Sequence, residues 1–283
     1  MKKIGNKIKQ NAKAIAAFLL GIALTGGTVY AATVLPSSQV GYDNSTSGLA
    51  ATDVQGALDE LYARSNITIA LMQDFDKSSL PNTGDTAKVV DVRDGNVYTV
   101  KKLADGNVWM TENLRLANKT ISSVDSNLPS GETYTIPASN LSSFTTEKDT
   151  NSVYIDSTYG GYYNWYTATA GWGTYNKYGP ATSTKDICPK GWRLPIGGPS
   201  GDFDNLYNYY NSIELITGEP NFTFSGYAYD GSVKEQGSTG TYWSASIGTA
   251  TKVAYALRIN KNYPTPYIGR DREDGYAVRC VAQ

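Results

Sequence analysis

Hydrophobic positions fall into three regimes along the chain. Near the start, Val54, Ala57, Leu58, Leu61 and Tyr62 recur at helical spacing, with Asp53, Asp59, Glu60 and Arg64 off the stripe. Thr52-Asp53-Val54-Gln55 carries the spacing of a capping box, so a helix of about 13 residues is predicted. From Lys88 the period drops to that of strands. Val89, Val90 and Val92 precede Asp94-Gly95-Asn96, Val97 to Val100 follow, and Asp105-Gly106-Asn107 leads into Val108-Trp109-Met110. Asp-Gly between apolar runs predicts tight hairpins, because those turns need positive φ.

Further along, residues 117–150 are polar without clear period and predict a long surface excursion. Tyr162 to Tyr166 predict a strand with Tyr163 and Trp165 on one face, Trp165 in the core. Phe203, Leu206, Tyr207 and Tyr210 predict a helix with Asp202 in its first turn. Strands return at Gly240 to Ser246, Val253 to Ile259 and Tyr276 to Val281. Between these, residues 67–83 read as a linker. Within it, Leu80-Pro81-Asn82-Thr83-Gly84 matches a sortase pentapeptide, but without a following apolar span and basic tail it reads as a turn.

The N-terminal 31 residues read as a secretory signal. Lys2, Lys3, Lys7, Lys9 and Lys13 precede an apolar run from Ala14 to Leu24, and Val29-Tyr30-Ala31 supplies a cleavage site. An uncleaved anchor is the alternative, although the run is shorter than the roughly 20 residues that span a bilayer. Residues 32–66 then form an extended segment and a short helix. That helix is too short to stand alone, so it docks or self-associates as a stalk through residues 40–64. A formal net charge of −1 leaves no basic excess for nucleic acid. Histidine is absent, which removes the commonest general base and transition-metal ligand. Twenty-two tyrosines among many Gly, Ser, Thr and Asn suit a β-rich extracellular surface.

Two cysteines in an exported chain suggest one bridge, Cys188 to Cys280, the alternative being two buried thiols. Around them stand four motifs. They are Asp105 to Arg115, Cys188-Pro189-Lys190-Gly191-Trp192-Arg193-Leu194-Pro195, Tyr242-Trp243-Ser244-Ala245-Ser246 and Val278-Arg279-Cys280-Val281. In that order they resemble the Fibrobacter succinogenes major paralogous domain, a family of bacterial surface domains, over residues 84–283. The resemblance implies a compact α+β, C-type-lectin-like domain related in architecture to formylglycine-generating enzymes. It has antiparallel strands, one or two helices and long loops, and its first and last strands pair.

Function follows as expectation. A non-catalytic module would bind glycan or another surface polymer through Trp172, Tyr175 and Tyr178 in a Gly-rich loop. A structural, oligomeric surface protein is the alternative, and a polysaccharide hydrolase the second. No nucleophile–base pair is apparent, and no carboxylate spacing favours glycoside cleavage. No cofactor is expected. Calcium has only weak candidates: Glu219-Pro220-Asn221, which resembles a lectin calcium loop without the later carboxylate, and Asp271 with Asp274 in a mixed-charge loop.

Overall fold

In this computed structural model the described residues are 41, 43, 50–57, 60, 70–145, 150–172, 181–210, 218, 220–260 and 264–283. The chain forms two units, Met1–Asn66 and Ile67–Gln283. In the first, residues 54–57 and 60 are helical, and Ala57 is buried. Asp53 is the cap: its carboxylate accepts from the Gly56 N–H at 2.7 Å. The expected box on Thr52 is therefore displaced by one position, because the Asp53 carboxylate reaches the third helical N–H. Glu60 reaches back to accept from the N–H groups of Ala50 and Ala51. The signal segment and most of the proposed self-association segment lie outside the described residues. Among the described residues no helix is long and apolar enough to cross a membrane.

The second unit is mostly β-sheet with few helices. It begins earlier than the sequence suggested. Strand β1 (Ala70–Leu71) pairs parallel with β2 (Thr86–Val90), and Met72 and Leu80 are buried. The Met72 carbonyl accepts from Trp192 Nε1 at 2.8 Å, while the Phe75 ring lies 5.5 Å from that indole. Of the expected linker, residues 70–83 are thus part of the domain, since a buried tryptophan N–H needs an acceptor and this segment supplies it. The Leu80–Gly84 turn does form, and its Gly84 N–H donates to the Lys102 carbonyl at 2.8 Å.

Strands β3 (Val97–Lys102) and β4 (Val108–Met110) complete the meander, with Gly95 and Gly106 at φ of 76° and 82° in its turns. The expected surface excursion instead holds a hairpin, β5 (Lys119–Ser122) with β6 (Thr133–Ile136). Its Ile121 and Ile136 side chains are fully buried, so each strand contributes one apolar anchor where no period was visible. β7 (Val153–Asp156) and β8 (Gly160–Tyr163) follow. The aromatic run then leaves the sheet: Asn164 accepts from the Thr167 N–H and caps a one-turn helix, α1 (Trp165–Ala168). The strand pattern expected through Tyr166 breaks there. Trp165 is core as expected, fully buried, and donates to the Ser244 carbonyl at 3.0 Å.

β9 (Trp192–Arg193) precedes α2 (Asp202–Tyr209), whose Phe203 and Leu206 are buried along the expected stripe. The last third supplies β10 (Tyr227–Tyr229), β11 (Ser232–Lys234), β12 (Thr239–Ile247), β13 (Val253–Asn260), β14 (Pro264–Asp271), β15 (Tyr276–Ala277) and β16 (Val281–Ala282). Strand β14 lies outside the strands the sequence predicted, and as the edge of its sheet it tolerates Pro264 and Pro266.

Two six-stranded sheets result, ordered β1-β2-β3-β4-β16-β9 and β14-β13-β12-β15-β8-β7. One apolar cluster draws on both, from Val89, Val100 and Met110 to Trp243 and Ala254, with Trp165 among them. The last strand does not pair with the first. Val281 sits opposite Trp109 on one side and Arg193 on the other, so β16 fills the gap between β4 and β9.

Candidate functional site

The disulfide is present and buried, with the Cα atoms of Cys188 and Cys280 5.9 Å apart. Around it the four motifs meet. Met110 N–H donates to the Cys280 carbonyl, Leu114 N–H to Val278, and Ala245 N–H to Pro195. Trp109, Trp192, Leu194 and Trp243 are all buried. These motif residues make the core; their side chains are spent on packing.

Polar groups behind the bridge are also satisfied internally. Arg93 and Asp91 form a buried ion pair, Nε to Oδ1 at 2.9 Å and the terminal nitrogen to Oδ2 at 2.6 Å. The same guanidinium donates to Ser126 Oγ and to the Ile187 carbonyl, which ties the first hairpin turn to the cysteine loop.

Next to the bridge the surface opens into a cleft of about 560 Å³. Asp186 forms part of its wall. Its carboxylate accepts from the backbone N–H groups of Cys188 and Leu194 at 2.9 and 3.0 Å, and from the Asn127 amide at 2.7 Å. Burial pushes the Asp186 carboxyl up to about 6, against the opposing pull of those hydrogen bonds and of the Arg193 charge. Arg193 itself grips Asp202 through two nitrogens, at 2.5 and 3.0 Å. Asp202 also accepts from the Ile196 N–H, so the first turn of α2 braces this wall. Gln283 donates to the Asn127 side-chain oxygen and to the Trp192 carbonyl, both at 3.2 Å. Thr182, Ser183 and Thr184 supply hydroxyls, and the exposed Ile196 side chain supplies apolar surface. The arrangement offers neutral donors and acceptors, the Asp202-paired Arg193 guanidinium and one buried carboxyl, chemistry suited to holding a polar ligand.

The comparisons name no relative. No family model, curated protein or solved structure matches this chain. Its function must be read from its own geometry.

The residues expected at a site that the structure describes do not line the cleft. Trp172 is half-buried and packs edge-on against Trp165, with ring centroids 5.9 Å apart, so it belongs partly to the core rather than to an exposed platform. Tyr175, Tyr178 and Glu219 lie outside the described residues. The Asn221 amide donates to the Thr111 carbonyl, and its own carbonyl accepts from Arg279, so it is occupied in packing. Asp271 is exposed, whereas Asp274 is half-buried and accepts from the Tyr276 hydroxyl at 2.6 Å. Among the described residues no group of three or more acidic or cysteine side chains is placed to hold a metal ion.

Sequence reasoning did not single out Asn127, Thr182, Ser183, Thr184 or Gln283 for a site. Thr182, Ser183, Thr184 and Gln283 lie near a cysteine in sequence but Asn127 does not, and a lone Thr-Ser-Thr run carries no distinguishing spacing.

Proposed function

We propose that this chain is an exported, non-catalytic binding module whose main domain is C-type-lectin-like and of the Fibrobacter paralogous type, and that the cleft beside the disulfide takes a glycan or another surface polymer. The lining of that cleft is the observation that carries the reading. Hydroxyls from Thr182, Ser183 and Thr184 and amides from Asn127 and Gln283 line the cleft together with the exposed apolar side chain of Ile196. Sugars present the same alternation of hydroxyl edges and C–H faces. The volume is in the range of clefts that enclose a small ligand. The disulfide supports export, since such bridges persist in oxidising compartments.

The test is binding of the full chain to an array of glycans and cell-wall polymers, with calcium and with chelator. Calcium-independent binding is expected. Thr184 is exposed at the cleft, so Thr184→Arg should fill it and weaken binding by about tenfold or more without lowering the melting temperature. Equal binding by that variant overturns the cleft as the seat. If Tyr175→Ala with Tyr178→Ala abolishes binding instead, the ligand sits on the aromatic loop.

A further inference from the structure

A second recess, on the sheet that ends in β14, is not used by the cleft. It measures about 120 Å³ and is walled by Tyr227, Glu235, Arg258, Arg270, Asp274 and Tyr276. Arg258 comes from β13, Arg270 from β14, Tyr276 from β15 and Tyr227 from β10. Most of these groups are already engaged. Arg258 and Glu235 pair at 3.2 Å, and the Tyr276 hydroxyl donates to Asp274. Arg270 differs: among the described residues its guanidinium has no hydrogen bond or ion pair, and its Nε is closed off from solvent with no acceptor.

A guanidinium in a recess with an unfilled inner nitrogen is short of acceptor oxygens. Two oxygens in a plane match its fork best, and a carboxylate presents them. The Tyr227 ring, edge-to-face with Tyr276 at 6.0 Å, forms one side of the recess, whose exposed lining is mostly polar. A small, mostly polar recess suits a single hydroxyl-rich sugar unit bearing an acid, more than a chain threaded through. We propose that this recess is a subsite for the carboxylate of an acidic sugar, received by Arg270. The proposal rests on the glycan reading above and names one class of glycan for it.

Asp274 makes the subsite pH-dependent. Burial raises its carboxyl to about 6, with the negative charges of Asp271 and Glu273 adding to the shift and the Tyr276 hydroxyl and Arg270 opposing it. Glu235, Arg258 and Tyr227 also face the recess. An incoming carboxylate meets a like charge while Asp274 is ionised. On acidification Asp274 takes up a proton, whereas a sugar acid, with a pKa of about 3 to 4, remains charged. Binding therefore tightens as pH falls through 6.

The experiment is calorimetric titration of the full chain with D-glucuronate, D-glucose and a short aspartate-containing peptide, at about pH 7.5 and about pH 5.5. Glucuronate should bind, about fivefold or more tightly at the lower pH, and glucose should not bind at this recess. Arg270→Gln should weaken glucuronate by about tenfold or more with the melting temperature unchanged, and Arg270→Lys should not restore it. If Arg270→Gln fails to fold, Tyr227→Ala carries the test, with the same direction of effect. Glucuronate binding that survives these substitutions, or no glucuronate binding, overturns the subsite. A peptide that binds as tightly overturns the sugar and makes the recess a docking point for acidic protein. Array binding that Thr184→Arg removes, together with failure of glucuronate here, would leave the cleft standing alone; the opposite pattern would leave the subsite without the cleft.

Discussion

Arg279 and Arg270 stand nine positions apart in the sequence and illustrate opposite uses of the same side chain. Arg279 is fully buried, and each of its nitrogens has an acceptor: the Asn113 side-chain oxygen at 2.8 Å and the carbonyls of Pro220 and Asn221 at 2.8 and 2.6 Å. Its guanidinium carbon lies 4.5 Å from the Phe222 ring centre and 5.4 Å from that of Tyr242. Neutral carbonyls and ring faces thus hold a cation in place, and nothing is left over for a ligand. Around Arg270 the backbone offers no such set. A complete shell marks architecture, and an incomplete one marks a place where chemistry can still arrive.

The sharpest break of that comparison is at the bridge beside Arg279. Replacing Cys188 and Cys280 with serine should cost about 4 kcal/mol in urea unfolding, since the bridge closes a loop of 92 positions. Next is Arg279→Met, which strands the acceptors on Asn113, Pro220 and Asn221. It should cost about 3 kcal/mol by the same assay.

A smaller effect separates two buried carboxylates. Burial alone would raise Asp91, but the Arg93 hydrogen bonds and charge, helped by the Gln73 amide, bring it below its ordinary value. Its contribution is present above the unfolded value near pH 4 and is lost as pH falls through the lowered folded value. Asp186 behaves in reverse. Its raised folded value means that the native state holds the proton more tightly, so stability falls as pH rises from about 4 to about 6, by about 2 kcal/mol. The melting temperature should therefore peak near pH 4 and decline towards pH 7, with Asp274 adding to the decline; a flat profile from about 4 to 7 would contradict the Asp186 assignment. Last, Arg270→Met should change stability by no more than about 0.5 kcal/mol in either direction. A loss as large as that of Arg279→Met would erase the distinction between the two arginines.

Local chemistry made part of this fold legible. The Asp-Gly turns, the stripe of α2, Trp165 in the core and the pairing of Cys188 with Cys280 all follow from residues close in sequence or few in number. What could not be read depends on distant partners. Met72 matters because Trp192, 120 positions away, needs its carbonyl. Pro264 and Pro266 argue against a strand until β14 is known to be an edge. Asn164 ends a strand by capping a helix, a choice its neighbours do not reveal. The cleft was the least legible. Asn127, Thr184 and Gln283 are ordinary polar residues until three segments converge on Asp186.

The position of β16 has a consequence for how the protein is made. Chain synthesis delivers β4 and β9 long before Val281, and until then both strands expose unpaired backbone edges. Their pairing spans 172 positions on one side and 88 on the other, by subtraction of Trp109 and Arg193 from Val281. Contacts of such long range fold slowly, so the nascent chain carries two adhesive edges for most of its synthesis. A chain cut before Val281 would keep those edges permanently, and aggregation would be its fate.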